Sequence, residues 1–273
     1  MTKTDYPQIT LKKGREAALL RGHPWVFSGA IASVAGKPAD GDVVRLADAQ
    51  GRGLALGFYN RKTDISFRLL TRDCGAAIDA AFWRERIERA LDLRRAVLSP
   101  ATNAYRVINA EGDGCPGLIA DAYGDVLAVS LTTAGMEKHR QHILDALGAC
   151  LQPARIYEQS VGRSRTLEGL SDRRGFLQGD DHSSVVRVKE NHYTFDVDFV
   201  GGQKTGFFLD QRVNREKLGA LARGRTVLNC FCYTGAFSVY AAAGGAKKVV
   251  SLDISRSACA AAAEHLRING FAA

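Results

Sequence analysis

From Thr226 to Asn269 the chain alternates between two kinds of segment. Thr226–Cys230 and Lys248–Asp253 are short runs rich in valine and leucine, and Gly235–Ala243 and Arg256–Asn269 carry apolar residues at helical spacing. A strand, a helix and a second strand at this spacing admit few folds. The helix is the crossover that two parallel neighbours need, so the segment predicts a parallel sheet covered by helices. Asp210–Leu221 reads as a further helix ahead of the first strand.

In an open sheet of this kind ligands sit beyond the carboxyl ends of the strands. The first strand runs into Phe231-Cys232-Tyr233-Thr234-Gly235, a turn with one glycine. A dinucleotide needs GxGxxG so that backbone can approach a pyrophosphate, and that pattern is absent. One glycine suffices for a ligand without phosphate, such as S-adenosylmethionine. Asp253 closes the second strand, where a carboxylate can accept from both hydroxyls of a ribose, and Ile254 would flank the adenine. The same spacing suits a packed strand–helix–strand unit in which the Asp only caps. Cys230 and Cys232 flank Phe231 in this turn; a thiolate near a helix N-terminus is a possible nucleophile, and small side chains packing beneath a ligand are the simpler reading. Gly201–Arg212 (GGQKTGFFLDQR) contains GxKT but not GxxxxGK[ST], which argues against a nucleoside triphosphatase, and Asp210 can cap the helix that follows.

Upstream the pattern differs. Ile9–Leu11, Asp42–Leu46, Gly53–Tyr59 and Asp64–Leu70 read as strands of a small β-barrel, with one short helical stretch at Gly14–Leu20. Residues 79–98 form an amphipathic helix capped by Asp79 and ended by Pro100. Tyr105–Asn109, Leu118–Asp121, Val126–Leu131 and Arg155–Gln159 read as strands, Gly135–Leu147 as a helix, and Val185–Lys189 with His192–Phe199 as a hairpin. The predicted architecture is therefore α/β and α+β multidomain, divided at 1–75, 76–184 and 185–273. A composition of 46% hydrophobic and 24% charged residues excludes a disordered chain. No apolar run approaches the roughly 18 residues of a membrane span. Met1–Pro7 has no apolar core, so the expected compartment is the cytoplasm, with six reduced cysteines and no metal-ligand spacing among them. The net charge of +8 falls as +5 in residues 1–75, −1 in 76–195 and +4 in 196–273. Basic ends suit a polyanion such as RNA, and equally serve solubility.

Asn229–Phe237, GQKTGFFLDQR at 202–212 and Ser251–Ile254 resemble the S-adenosylmethionine-dependent large-subunit rRNA 5-methylcytosine methyltransferases of the RlmI type. His23–Ile31 and Gly57-Phe58-Tyr59-Asn60 are similar to that family's RNA-binding PUA domain, and Glu111–Leu118 to its central domain. The resemblance implies an N-terminal PUA-like β-barrel, a small α+β central domain and the start of a class I (Rossmann-like) methyltransferase domain. It implies methylation of cytosine C5 in 23S rRNA. Asn229, Phe231, Tyr233, Thr234 and Gly235 would line the methionine end of the cofactor, Asp253 would bind its ribose, and Phe207, Asp210, Gln211 and Arg212 would form a lid. C5 becomes nucleophilic only after a cysteine thiolate adds at C6, and a base in a duplex must first be flipped out.

The family's Asp-Pro-Pro motif and nucleophilic cysteine have no counterpart in 1–273, so no catalytic residue is assigned and the chain alone is expected to be catalytically incomplete, whether as a fragment or a naturally short form. Two other readings remain: a methyltransferase of this fold acting on another base, and a non-catalytic RNA-binding module. In residues 1–75 the expected RNA contacts are Arg21, His23, Trp25, Tyr59, Arg61 and Lys62, with Phe58 as a further aromatic face. Neither a metal nor a membrane is expected as a partner. Binding to rRNA fragments should weaken steeply between two salt concentrations in a fluorescence titration, because phosphate contacts release counterions.

Overall fold

Residues 6–180 and 183–272 are described here by a computed structural model. The chain divides into two compact units. The first takes in residues up to Val97, Arg106–Asp121 and Leu127–Gly179; the second takes in Leu98–Tyr105, Ala122–Val126 and the chain from Asp180.

The first unit opens with β1 (Gln8–Leu11), α1 (Ala17–Leu20), β2 (Trp25–Phe27), β3 (Ile31–Val34), β4 (Val43–Ala47), β5 (Gly53–Tyr59) and β6 (Ile65–Thr71). These strands form one six-stranded sheet in the order β2-β6-β5-β4-β1-β3, antiparallel except for β1 beside β4. Ile9, Leu11, Leu19, Val26, Val44, Leu46, Ala55, Tyr59 and Phe67 build its core. Strands β2 and β3 are not anticipated from the sequence; each is short, and Pro24 and Gly29 interrupt the pattern.

The motif Gly57-Phe58-Tyr59-Asn60 is used internally. A Cβ on Gly57 would stand 2.3 Å from the Arg68 carbonyl oxygen and 2.5 Å from the Phe67 ring. Phe58 stacks on Trp83 and on His139, with ring centroids 6.2 and 5.7 Å apart. Tyr59, 7% exposed, belongs to the core. The Asn60 amide donates to Glu168 at 2.7 Å.

Helix α2 (Ala80–Val97) follows, buries Trp83, Ile87, Ala90 and Leu91, and is capped by Asp79, which accepts from the Phe82 amide at 3.1 Å. Next come β7 (Ala104–Asn109), β8 (Leu118–Tyr123), β9 (Val126–Leu131), α3 (Ala134–Lys138), α4 (Arg140–Leu151), β10 (Arg155–Ser160), α5 (Arg163–Leu167) and β11 (Arg173–Gln178), with the second sheet ordered β11-β10-β9-β8-β7. The single helix expected over 135–147 is two helices that break at His139. Burial among aromatic rings pushes the His139 imidazole down to about 4. Strand β11 and helix α5 are also additions. RRGFLQ is largely exposed at a sheet edge and shows no alternation.

The second unit carries the hairpin β12 (Val185–Glu190) and β13 (Tyr193–Asp198), then α6 (Arg212–Leu221), β14 (Thr226–Cys230), α7 (Ala236–Ala243), β15 (Lys248–Leu252) and α8 (Arg256–Ile268). Strands β14 and β15 are parallel, with Asn229 opposite Ser251 and Cys230 opposite Leu252.

Gly57→Ala should lower unfolding stability by about 3 kcal/mol, since backbone stands in the path of the new methyl. Gly29→Ala, which would meet nothing within 4 Å, should stay within about 0.5 kcal/mol of the parent. Urea denaturation of both variants measures the difference.

Candidate functional site

The carboxyl ends of β14 and β15 lead into two adjacent turns. In the first, Phe231 and Tyr233 adopt left-handed backbone, with φ of 58° and 48°. Neither is a glycine, so the conformation is held from outside. The Cys232 amide donates to the Leu252 carbonyl at 3.0 Å, and the Tyr233 amide to Asp253 Oδ2 at 2.9 Å. Asp253 Oδ1 accepts from the Ser255 amide at 2.9 Å. The Ser255 and Tyr233 amides hold the Asp253 carboxyl below the usual carboxylate range. The carboxylate thus ties its own turn to its neighbour.

Gly235 has φ of 75°, and a Cβ there would lie 2.4 Å from that of Ala262 on α8. The lone glycine of the turn is demanded by handedness and by this helix. His265, buried on α8, completes the support: as the Nδ1-protonated tautomer it donates to the Thr234 carbonyl at 2.6 Å and accepts from the Asp196 amide at 2.9 Å. Burial pushes its imidazole down, which keeps it neutral.

The Gly201–Phe208 loop lies against the first turn. Tyr233 Oη accepts from the Gln203 amide at 3.0 Å and donates to the Gly206 carbonyl at 3.1 Å. The Phe208 and Tyr233 rings meet edge to face at 5.4 Å. Lys204 pairs with Asp210 at 3.2 Å and sits 4.4 Å over the Phe208 ring.

Loop and turns enclose a cavity of about 410 Å³. Of the residues expected from the sequence, Phe207, Gln211, Phe231, Tyr233, Thr234, Asp253 and Ile254 line it. Asn229 lies in β14, where its amide donates to Ser238 Oγ at 2.9 Å. Gly235, Asp210 and Arg212 are not among the lining residues. Gln203, Phe208, Arg215, Ala236 and Phe237 line it and were not anticipated; the aromatic pair in GFFLDQR was the available signal. Phe231 and Ile254 are 90% and 102% exposed, large apolar surfaces beside a carboxylate. Cys230 is exposed, and burial pushes the Cys232 thiol up to about 11, so Cys232 rests protonated.

In the first unit, Arg21, His23, Arg61 and Lys62 are exposed and Trp25 is half-buried. Tyr59 and Phe58 are buried, so neither ring offers a free face. Tyr59 does border a cleft with Lys37, Asp40 and Arg61. Among the described residues no cluster of metal ligands occurs, and no helix is long and apolar enough to cross a membrane.

Two families match. A PUA-like domain covers residues 9–72, and an S-adenosylmethionine-dependent methyltransferase covers residues 113–273. Ribosomal RNA large subunit methyltransferase I of Tolumonas auensis is 41% identical over 263 residues, which cover 96% of this chain and 66% of that protein. The protein of the same name from Alteromonas mediterranea is 42% identical over 265 residues, covering 97% and 66%. The chain thus spans about 66% of these relatives. A solved Streptococcus mutans protein assigned to the S-adenosylmethionine-dependent methyltransferases superposes with a TM-score of 0.81 at 26% identity, over 97% of this chain and 68% of its own. A methyltransferase structure complexed with SAH gives the same score and identity over 97% and 67%.

Tyr233→Phe removes the hydroxyl that fastens the loop. Trypsin cleavage after Lys204 should then accelerate about tenfold with the far-ultraviolet spectrum unchanged, as expected for two lost hydrogen bonds of a locally opening segment.

Proposed function

The chain belongs to the S-adenosylmethionine-dependent methyltransferase family, and from that premise we propose that it is part of the machinery that methylates large-subunit rRNA in the cytoplasm, at C5 of a cytosine. The observation that carries the reading is the cavity at the ends of β14 and β15. It sets a polarised carboxylate, Asp253, beside the exposed Phe231 and Ile254.

These residues fit S-adenosylmethionine. Asp253 has each oxygen engaged by one amide, which leaves carboxylate lone pairs to accept from ribose hydroxyls. Ile254 and Phe231 offer apolar faces to an adenine. Tyr233, Thr234, Phe207 and Gln211 enclose the end where the methionine portion would lie. The bound cofactor supplies an electrophilic methyl group. The chain's own residues bind, orient and dry the site. Cys232, protonated at neutral pH, is a packing residue in this scheme rather than the thiolate that adds to a pyrimidine.

RNA as the substrate is supported by the named relatives, by the PUA-like match at 9–72 and by the +5 charge of residues 1–75. Exposed Arg21, His23, Arg61 and Lys62 are the proposed contacts, with Trp25 beside them.

Calorimetry of S-adenosylmethionine with the parent and with Asp253→Ala tests the cofactor site. The variant should bind about tenfold or more weakly, the scale of a lost charge-assisted hydrogen bond; NADH should not bind either form. Transfer of labelled methyl to rRNA lacking the modification, by the full gene product, tests the reaction.

A further inference from the structure

Strand β2 forms one edge of the six-stranded sheet. Its alternation turns Val26 into the core and leaves Trp25 and Phe27 on the other side, where the His23 ring joins them from just ahead of the strand. The His23 ring meets Trp25 edge-on at 5.8 Å and Phe27 at 6.4 Å. Phe27 is 49% exposed. Trp25 and Phe27 border a cleft of about 660 Å³ within the first unit, together with Arg68, Glu111, Leu167 and Glu168. Trp25 and Lys62 of this lining are already among the RNA contacts expected from the sequence; Phe27, Glu111 and the cleft itself are not.

Its polar groups form a built network. Arg68 donates from Nε and Nη2 to Glu168 Oε1, at 3.2 and 3.0 Å, and from Nη1 to Glu111 Oε1 at 3.3 Å. The same Glu111 oxygen accepts from Trp25 Nε1 at 2.9 Å. Glu168 Oε2 accepts from Asn60 at 2.7 Å and from the Ala134 amide at 3.2 Å. The Arg68 charge is therefore balanced by two carboxylates and is not offered to a phosphate. Glu111 Oε2 is different: among the described residues it has no hydrogen-bond partner, and the Glu111 side chain is 22% exposed. The cleft presents aromatic surface and two anionic acceptors, Glu111 Oε2 within it and the exposed Asp64 carboxylate on its lining, with Lys62 also on the lining and Arg61 exposed next to it in the chain.

We propose that this cleft holds an unpaired RNA base that carries an exocyclic amino group. The base would pack on Phe27 and Trp25 and donate to Glu111 Oε2. The inference rests on the reading of RNA as the substrate. Aromatic rings beside basic side chains recognise single-stranded nucleic acid by stacking and backbone charge. A carboxylate acceptor adds selection: cytosine N4 donates to it, whereas uracil sets the O4 acceptor in that place, and its one edge donor, N3–H, lies between two carbonyl oxygens that the carboxylate repels. Cytosine-rich single strands are thus preferred over uridine-rich ones. Arg61 and Lys62 would serve the flanking phosphates.

The chain contains two tryptophans, Trp25 in the cleft and Trp83 fully buried, so quenching of intrinsic fluorescence reports Trp25. Hexacytidylate should quench saturably, with half-saturation about tenfold below that of hexauridylate. Phe27→Ala should weaken both hexamers about tenfold through lost stacking; the residue is half-exposed, so the fold should persist. In Glu111→Gln the amide oxygen would answer Trp25 and Arg68 and the amino group would face the cleft. That variant should bind the two hexamers within about twofold of each other. If the parent binds RNA but Phe27→Ala and Glu111→Gln behave like it, the cleft is overturned and the RNA reading stands. If the parent binds neither hexamer nor an rRNA fragment, both fall. Quenching by an oligolysine peptide as tight as by hexacytidylate would assign the cleft to a basic protein segment and overturn the proposal.

Discussion

The buried pair Arg215–Glu190 is the interaction on which the second unit depends. Both side chains are inaccessible to solvent, and the guanidinium meets the carboxylate through Nε and Nη2. A buried ion pair persists only when its remaining donors and acceptors are also satisfied. Here they are: Arg215 Nη1 donates to the Phe208 carbonyl at 3.1 Å, and Tyr240 Oη donates to Glu190 Oε1 at 3.0 Å. Burial and the Glu190 charge push the Tyr240 phenol well above its ordinary range, so it stays a donor. The guanidinium also lies over the Phe207 and Phe237 rings, at 4.8 and 5.8 Å. One side chain on α6 thereby joins the hairpin, the loop over the cavity and α7.

That arrangement explains which parts of the site were legible in the sequence. Alternating strands and helices from Thr226 onward gave the parallel pair, and the strand end gave Asp253, because both depend on local periodicity. Arg215 did not declare itself. It sits one turn into a helix, where an arginine ordinarily faces water, and only the contact with Glu190, 25 residues upstream, makes it a wall of the cavity. The resemblance pointed instead to Arg212, which does not line it. Gln203 and Phe208 are placed by the Tyr233 hydroxyl and by Arg215, tertiary contacts without a sequence period.

The N-terminal unit shows the converse error. Gly57-Phe58-Tyr59-Asn60 looks like a recognition motif because it is aromatic and closes a strand. Strand β5 is buried along its last five residues, so alternation cannot separate an inward from an outward ring. Phe58 is matched to Gly135, where a Cβ would stand 2.1 Å from the ring. The exposed aromatic surface falls instead to β2, an edge strand too short to read from periodicity but free on one side.

The turn beyond β14 also clarifies why the cavity suits a ligand without phosphate. The turn lacks the glycines of a phosphate loop, and several of its amides are already engaged. Phosphate-binding turns point several free N–H groups at one anion. Here the Tyr233 amide donates to Asp253, the Cys232 amide to Leu252 and the Gly235 amide to Cys232. An anion is already built into the site, and its charge opposes a second one. What the turn presents outward is a carboxylate that accepts hydroxyl donors and two exposed apolar side chains, Phe231 and Ile254. Gly235 is glycine because Ala262 and a left-handed φ require it. The same residue that would signal a nucleotide loop therefore serves the packing of α8, and the chemistry of the cavity follows from Asp253.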